Sequence, residues 1–466
     1  MSGDTFSRAG EAFVQWFLSD PQANISPKIS LTGFRDRSTA RGIVAKENIE
    51  GDAELFTVPR SSILCVENSD LRQKSPSVFE ETDNWSSLIL VMLYEFLRGD
   101  RSPWKLYFDV LPDKFDSLMF WSENELAELQ GSAVIHKIGK TQADEMFRSK
   151  ILPIIQSRPE IFEISTSTTG HSEESILALA HRMGSTIMAY AFDLEKDEAE
   201  QEGDEDGFLS EEEDEELPKG LIPVADMLNA DPENYNAQLF YGKDTLTMKA
   251  LKPISKGEEI LVDNGPLPRS DLLRRYGYIT DSHAKYDVVE VALDMVAAIA
   301  ATEAGLSDED RTHRLQYFEE QDFLDDGYDI SYPDEVSPAF APELLGLING
   351  LLLPPERFNA MRSRESLPKE KMTSAVANVL SSIIERRQSD YGTSIEEDET
   401  LLQSQVTESR LKMAIEVRLG EKKVMETALK ALRQFSAGCE HPNPSSGGKR
   451  AAHGDDLATP KKSRPL

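Results

Sequence analysis

Three stretches carry residue types that could do chemistry. In the first, Thr39-Ala40-Arg41-Gly42-Ile43-Val44, small residues stand just ahead of an apolar run, so backbone amides could come close to a ligand carboxylate. A plain tight turn would use the same residues. In the second, Asp226-Met227-Leu228-Asn229-Ala230 ends an apolar run and enters Asp231-Pro232. The Asn229 amide offers a ligand both a donor and an acceptor, while a turn held by Asn and Asp side chains is the plainer use of the segment. The third, Pro268 to Gly277, reads as a helix with Ser270 or Asp271 near its start, Arg274 and Arg275 in its last turn and glycine at its exit. It places Tyr276 at its end. The chain has no Ser-His-Asp set, paired-carboxylate motif, P-loop or GxGxxG dinucleotide turn.

The elements that must position these residues are legible from spacing. Phe13, Val14, Phe17 and Leu18 predict an amphipathic opening helix, followed by strand-like runs around Ile43 and Leu55 joined by a turn over 48–52. Trp85, Leu88, Ile89, Met92 and Phe96 recur at helical steps and stop near Gly99, and Trp121 to Leu129 begins another helix. A third helix is expected from Ser172 to Leu194, running into the acidic block EKDEAEQEGDEDGFLSEEEDEE at 195–216. That block interrupts a domain and does not separate two. Lys256-Gly257-Glu258-Glu259 turns between two strand-like runs. Beyond 281 the pattern is helical, with candidates at Ser307–Asp322, Pro342–Leu353, Met372–Arg387 and Glu399–Phe435, the last broken at Gly420.

In the order LIPVADMLNADPENYNAQLFYGKDTLTMKALKPISKGEEILVDNGPLPRSDLLRRYGY, these pieces resemble the C-terminal half of the SET domain in the Rubisco-methyltransferase-like class of lysine methyltransferases. PVADMLNAD (223–231) and LLRRYGY (272–278) are most similar to the fungal ribosomal-protein lysine methyltransferases. The resemblance implies an α+β fold, with a split SET domain of small curled β-sheets, an inserted helical region and an all-α C-terminal substrate-binding domain. The expected boundaries are 1–280 for the SET domain, with its helical insert at about 70–190 and a flexible acidic insertion at 195–216; 281–436 for the substrate-binding domain; and 437–466 for a disordered basic tail. It implies an S-adenosylmethionine-dependent protein-lysine N-methyltransferase acting on a basic protein, a ribosomal protein first and a transcription or chromatin factor second. By the same resemblance Thr39, Ala40 and Arg41 contact the cofactor's methionine part through their backbones. Tyr190, Asp226, Asn229 and Ala230 also bind cofactor, and Tyr276 both binds it and faces the transferring methyl as the catalytic tyrosine. Trp104, Tyr107 and Ala191 match substrate-binding positions, although Trp104 and Tyr107 read equally well as an aromatic core pair.

Such a reaction asks little of side chains as acids. A lysine ammonium, with an ordinary pKa of about 10.4, must lose its proton and meet a sulfonium methyl in line. An apolar aromatic channel disfavours the cation, and a tyrosine hydroxyl orients the amine. Two departures from the family stand out: Ala230 where it usually has histidine, and Asn264 where it carries a tyrosine just before the glycine.

Composition narrows the field further. Among 466 residues, 83 acidic against 50 basic side chains give a formal charge of −33, which repels nucleic acid and favours basic protein partners. It also keeps open a second reading, a non-catalytic acidic adaptor or chaperone on a SET scaffold. Two cysteines, Cys65 and Cys439, allow no disulfide framework or cysteine-based zinc site, and no metal is expected. No apolar run approaches the length of about eighteen residues needed to span a membrane, and the N-terminus does not read as a secretory signal. Lys449-Arg450 and Lys461-Lys462-Ser463-Arg464, ten residues apart, fit a bipartite nuclear import signal, so a nuclear import receptor and a nuclear location with a cytoplasmic pool are expected.

Overall fold

A computed structural model describes residues 3–33, 41–163, 172–195, 217–332, 339–404 and 408–440. Along the chain the strands are β1 (Asn24–Ile25), β2 (Ile29–Gly33), β3 (Arg41–Ala45), β4 (Glu54–Pro59), β5 (Ala191–Asp193), β6 (Lys219–Leu221), β7 (Asn229–Ala230), β8 (Ala237–Tyr241), β9 (Thr245–Ala250), β10 (Leu261–Val262), β11 (Val288–Ala292) and β12 (Gly327–Ser331). They form one four-stranded sheet in the order β1-β4-β9-β8 and four two-stranded ladders. All pairings are antiparallel except β7 with β10, so the expectation of small curled sheets holds. The alternation of Thr245–Ala250, with Leu246, Met248 and Ala250 buried, turns one face of β9 to the core, and pairing with both β4 and β8 makes it internal to its sheet.

By contacts the described chain divides into two compact units. The first comprises Met1–Ala292, Asp326–Ala341 and Glu385–Glu426. Its helical insert opens with Asn84–Leu97, in which Leu88 to Leu93 are all fully buried, and closes with Glu173–Tyr190. Asp83 caps the former by accepting from the Ser86 amide at 2.7 Å, and Ser172 caps the latter. The closing helix ends at Tyr190 and does not run on to Leu194, because Ala191–Asp193 pair with Lys219–Leu221 and so clamp the chain on both sides of the acidic block. The block itself, 196–216, lies outside the described residues.

The first unit also takes in chain beyond the expected boundary at 280. β11 pairs with β12 over five registers, and Arg418 joins Asp398 at 2.7 Å while reaching the Glu128 carbonyl at 2.8 Å. The segment expected as one helix with a break at Gly420 is instead Ile395–Gln403 and Ser409–Glu440, and the second runs straight through Gly420. A Cβ at Gly420 would meet the Arg269 and Asp287 side chains, an ion pair held at 2.5 Å. The glycine makes room for that pair and does not stop the helix. Helix also extends to Glu440, past the expected start of the tail at 437; residues 441–466 lie outside the described chain.

The second unit comprises Leu293–Asp325, Pro342–Ile384 and the chain from Thr427 on. Leu293–Ala304 and Pro355–Arg362 are helices that the apolar spacing did not single out, while Asp308–Glu320 and Pro342–Leu352 fall where expected. Its core sets Phe318 edge-on to Phe358 at 6.0 Å, and Arg314 donates to the carbonyls of Gly350, Leu351 and Leu353, closing a helix end.

Candidate active site

The site is built where three short segments of the first unit lie side by side. β7 and β10 pair in parallel, Asn229 opposite Leu261 and Ala230 opposite Val262. The strand leading into β10 lies against β3, with Val44 bridging Glu259 and the Ile260 amide donating to the Ile43 carbonyl at 2.8 Å. Neighbouring turns lock this arrangement: Asn236 donates to the Glu259 carbonyl and accepts from the Leu261 amide, both at 2.9 Å. Val224 enters the region at φ 73°, ψ −45°, a conformation costly for a β-branched residue and characteristic of sites whose geometry the surroundings enforce.

Asn229 ties two of these segments together. Its Nδ2 donates to the Arg41 carbonyl at 2.8 Å and to Glu259 Oε1 at 2.6 Å. With the nitrogen committed to two acceptors, Oδ1 is the amide atom left to accept from an ammonium group. Beneath lies a buried polar cluster. The Arg41 guanidinium donates to the Val110 carbonyl at 2.5 Å and the Asp226 carbonyl at 3.3 Å, faces Asp226 Oδ2 at 3.6 Å, and lies over the Tyr190 ring at 5.1 Å. Tyr107 donates its hydroxyl to Asp226 Oδ2 at 2.9 Å. Burial pushes the Asp226 carboxyl up to about 6, against the opposing pull of Arg41 and the Tyr107 hydrogen bond. Its Oδ1 is buried without a hydrogen-bond partner among the described residues.

Arg269–Tyr276 packs against the helix that ends at Tyr190. Gly277 exits this helix at φ 78°, packed so closely on the Asp116–Ser117 backbone that a Cβ would collide with it. That glycine turns the chain so that Tyr278 returns beside Tyr276, ring centres 6.1 Å apart. Burial raises the phenol pKa of Tyr190, Tyr276 and Tyr278 alike, so all three are neutral hydroxyls near pH 7.

The structure thus gathers Arg41, Tyr190, Asp226, Asn229 and Ala230 from the sequence expectations. It sets Tyr107, fully buried, against Asp226 and in an aromatic stack with Phe13 and Trp16, as much core as channel. Trp104 sits in the core with its indole N–H on the Ser62 carbonyl at 3.0 Å, and Ala191 opens β5 opposite Leu221. Thr39 and Ala40 lie outside the described residues. Glu259 and Tyr278 were not singled out from sequence. A Glu-Glu turn and a Tyr-Gly-Tyr exit were the available signals, and neither says which side chain turns inward. Asn264 follows β10 by two residues, in a turn where Asp263 accepts from the Gly265 amide at 2.8 Å.

A model of the SET domain matches residues 40–265, and one of the Rubisco LSMT substrate-binding domain matches residues 308–425. The chain thus carries a SET domain followed by a Rubisco LSMT substrate-binding domain. The SET-domain chain is 38% identical over 302 residues to ribosomal lysine N-methyltransferase 4 of Saccharomyces cerevisiae, an alignment spanning 63% of this chain and 60% of that enzyme's length. It is 29% identical over 463 residues to N-lysine methyltransferase SETD6 of Rattus norvegicus, covering 91% and 90% of the two chains. In fold it is like the SET domain of LSMT bound to lysine and AdoHcy, with a TM-score of 0.67 at 20% identity over 93% of this chain and 92% of that one.

Proposed function

We propose that this SET-domain chain, a protein-lysine N-methyltransferase that uses S-adenosylmethionine, acts on a basic ribosomal protein. The observation that carries the site assignment is the convergence of Arg41, Tyr190, Asp226 and Asn229 where β3 lies beside β7. The residues present suit a cofactor bearing cationic centres: an unengaged amide oxygen on Asn229, the Glu259 carboxylate beside it and a buried, unpaired Asp226 oxygen are all acceptors. When bound, S-adenosylmethionine supplies a methyl on a sulfonium. Asn229 and the β3 and β7 backbones would hold it, and the Tyr276 hydroxyl, neutral because buried, orients the incoming amine. Packed tyrosine rings exclude water, which disfavours the lysine ammonium and lets the amine attack as a neutral nucleophile.

The ribosomal assignment rests on the likeness to the yeast enzyme and on a charge of −33 that suits a basic substrate. The basic clusters at 449–450 and 461–464 support a nuclear pool delivered by an import receptor. A fluorescent fusion truncated after Gly438 should lose nuclear accumulation, and one that stays equally nuclear removes this signal. The adaptor reading keeps one observation in its favour, Asn264 in place of the family tyrosine. Equilibrium binding of radiolabelled S-adenosylmethionine separates the two: saturable binding is expected of the enzyme, and its absence would leave the adaptor.

A further inference from the structure

Between the helical insert and the Arg269–Tyr276 helix lies a partly open cavity of about 300 Å³ whose lining is separate from the residues gathered around Asn229. Its apolar wall is Trp85, Met119, Met146, Phe147 and Met188. Phe147 begins a π-helical turn, Phe147–Ile151, a distortion common at binding sites. Met188 is 40% exposed at the mouth, unusual for so large an apolar side chain unless something covers it. Methionine side chains also adapt to ligand shape.

The polar part of the lining is one-sided. Lys137, Arg274 and Arg275 contribute cations and His181, joined to Asp144 at 2.5 Å, an imidazole; among the described residues no carboxylate lines the cavity itself. Arg274 and Arg275 share a single carboxylate, Asp271, at 2.7 and 2.9 Å, which leaves guanidinium donors in excess there. Lys137 pairs with Glu290 at 2.5 Å from a side chain that is still 48% exposed. We infer that this cavity is a second ligand site, for a small amphipathic molecule with an aromatic body and one anionic group, and that its occupancy is coupled to cofactor binding. The flat apolar part fills the methionine-lined wall and the anion meets the guanidinium side.

The coupling follows from which helices form the walls. Met188 lies two residues before Tyr190, at the end of Glu173–Tyr190, and Arg275 immediately precedes Tyr276, at the end of Arg269–Tyr276. A ligand seated between these helices bears on the two tyrosines that close the methyl-transfer site, and through the Arg41–Tyr190 contact on Asp226 and Asn229. This half of the inference rests on the methyltransferase reading.

Anilinonaphthalene sulfonate, an aromatic anion of this class, is a direct probe. On the full chain it should bind saturably at one site per molecule and alter the affinity for S-adenosylmethionine by at least about fivefold, the low end of ordinary coupling between sites. Met188→Trp and Ala143→Leu each add volume to a lining residue of the cavity. Each, checked for a cooperative melt, should weaken the probe by about tenfold or more. Probe binding that is absent, or unchanged in whichever variant melts cooperatively, overturns the site. Cofactor binding indifferent to saturating probe overturns the coupling. Cofactor binding without probe binding sinks this inference and leaves the methyltransferase, whereas probe binding without cofactor binding sinks the methyltransferase and leaves the site.

Discussion

At Asn229 the side-chain nitrogen donates to the Arg41 carbonyl and to Glu259, and on the proposed reading its oxygen is the atom that accepts from the cofactor. Asn229→Ala removes both bonds and should weaken S-adenosylmethionine binding by about 1 to 3 kcal/mol, the cost of leaving a half-buried acceptor unsatisfied. Titration calorimetry reads this directly. Tyr276→Phe keeps the ring and its packing on Tyr278 but deletes the hydroxyl. Methyl transfer should nearly vanish with cofactor affinity retained, and equal turnover in the variant would take Tyr276 out of the mechanism. Asn264 belongs to the turn after β10, the strand that pairs with Asn229–Ala230, so on the proposed reading the phenol is missing from the segment that follows the cofactor residues' partner strand. Tyr278 brings a ring to the Tyr276 side, on a different segment. The amine should therefore be less well desolvated than in relatives with tyrosine, giving low activity at neutral pH that climbs toward alkaline pH. Asn264→Tyr should raise the neutral-pH rate, and a variant with the parent's rate and pH profile would show that this position does not limit the chemistry. Residue types near the site were legible because turn-forming Asn and Asp and a helix-ending Tyr-Gly are local signals. What Asn229 bonds was not: Arg41 lies 188 positions away, and only the threading of β3 beside β7 brings them together.

At the scale of elements, the part of the long helix Ser409–Glu440 that belongs to the first unit carries two features that set its packing within that unit. Gly420 lies against the Arg269–Asp287 pair, so Gly420→Ala must displace a buried salt bridge and should cost about 1 to 3 kcal/mol, as over-packing does, measured as a lowered urea midpoint. Next to it, Glu421 is buried and accepts from Ser132 Oγ at 2.6 Å and the Tyr391 hydroxyl at 2.9 Å. Burial pushes its carboxyl up to about 7, with Asp287 adding to the rise and Arg387 opposing it. Between about pH 4.5 and pH 7 the native state holds a proton that the unfolded chain has released, so stability falls as pH rises through that window, by up to about 3 kcal/mol. Glu421→Gln cannot titrate and should flatten this slope in denaturation measured across the window; a slope equal to the parent's would assign it to other groups. Helices with a clear apolar stripe were legible to within a few residues. Gly420 misled because a glycine in a helical pattern signals a break only when nothing packs there, and the ion pair that needs the space comes from residues over 130 positions earlier. β11 and β12 were missed since their pairing partner is separated by two helices.

For the whole molecule, the charge of −33 and the two-domain match both support the proposal of an enzyme that acts on a basic protein. The sequence led to the expectation of no membrane-spanning helix, and among the described residues no helix is long and apolar enough to cross a bilayer. Class of fold and reaction were legible because ordered motifs from 221 to 278 constrain each other, whereas substrate identity leaves no comparable mark in one chain. The measurement that bears most directly on the account is transfer of labelled methyl from S-adenosylmethionine to protein in a fractionated ribosomal and nuclear extract, with the acceptor located by mass spectrometry. The account predicts label on a lysine of a basic ribosomal protein with the parent chain and almost none with Tyr276→Phe. Saturable cofactor binding with no methylated lysine in any fraction, at neutral or alkaline pH, would contradict it.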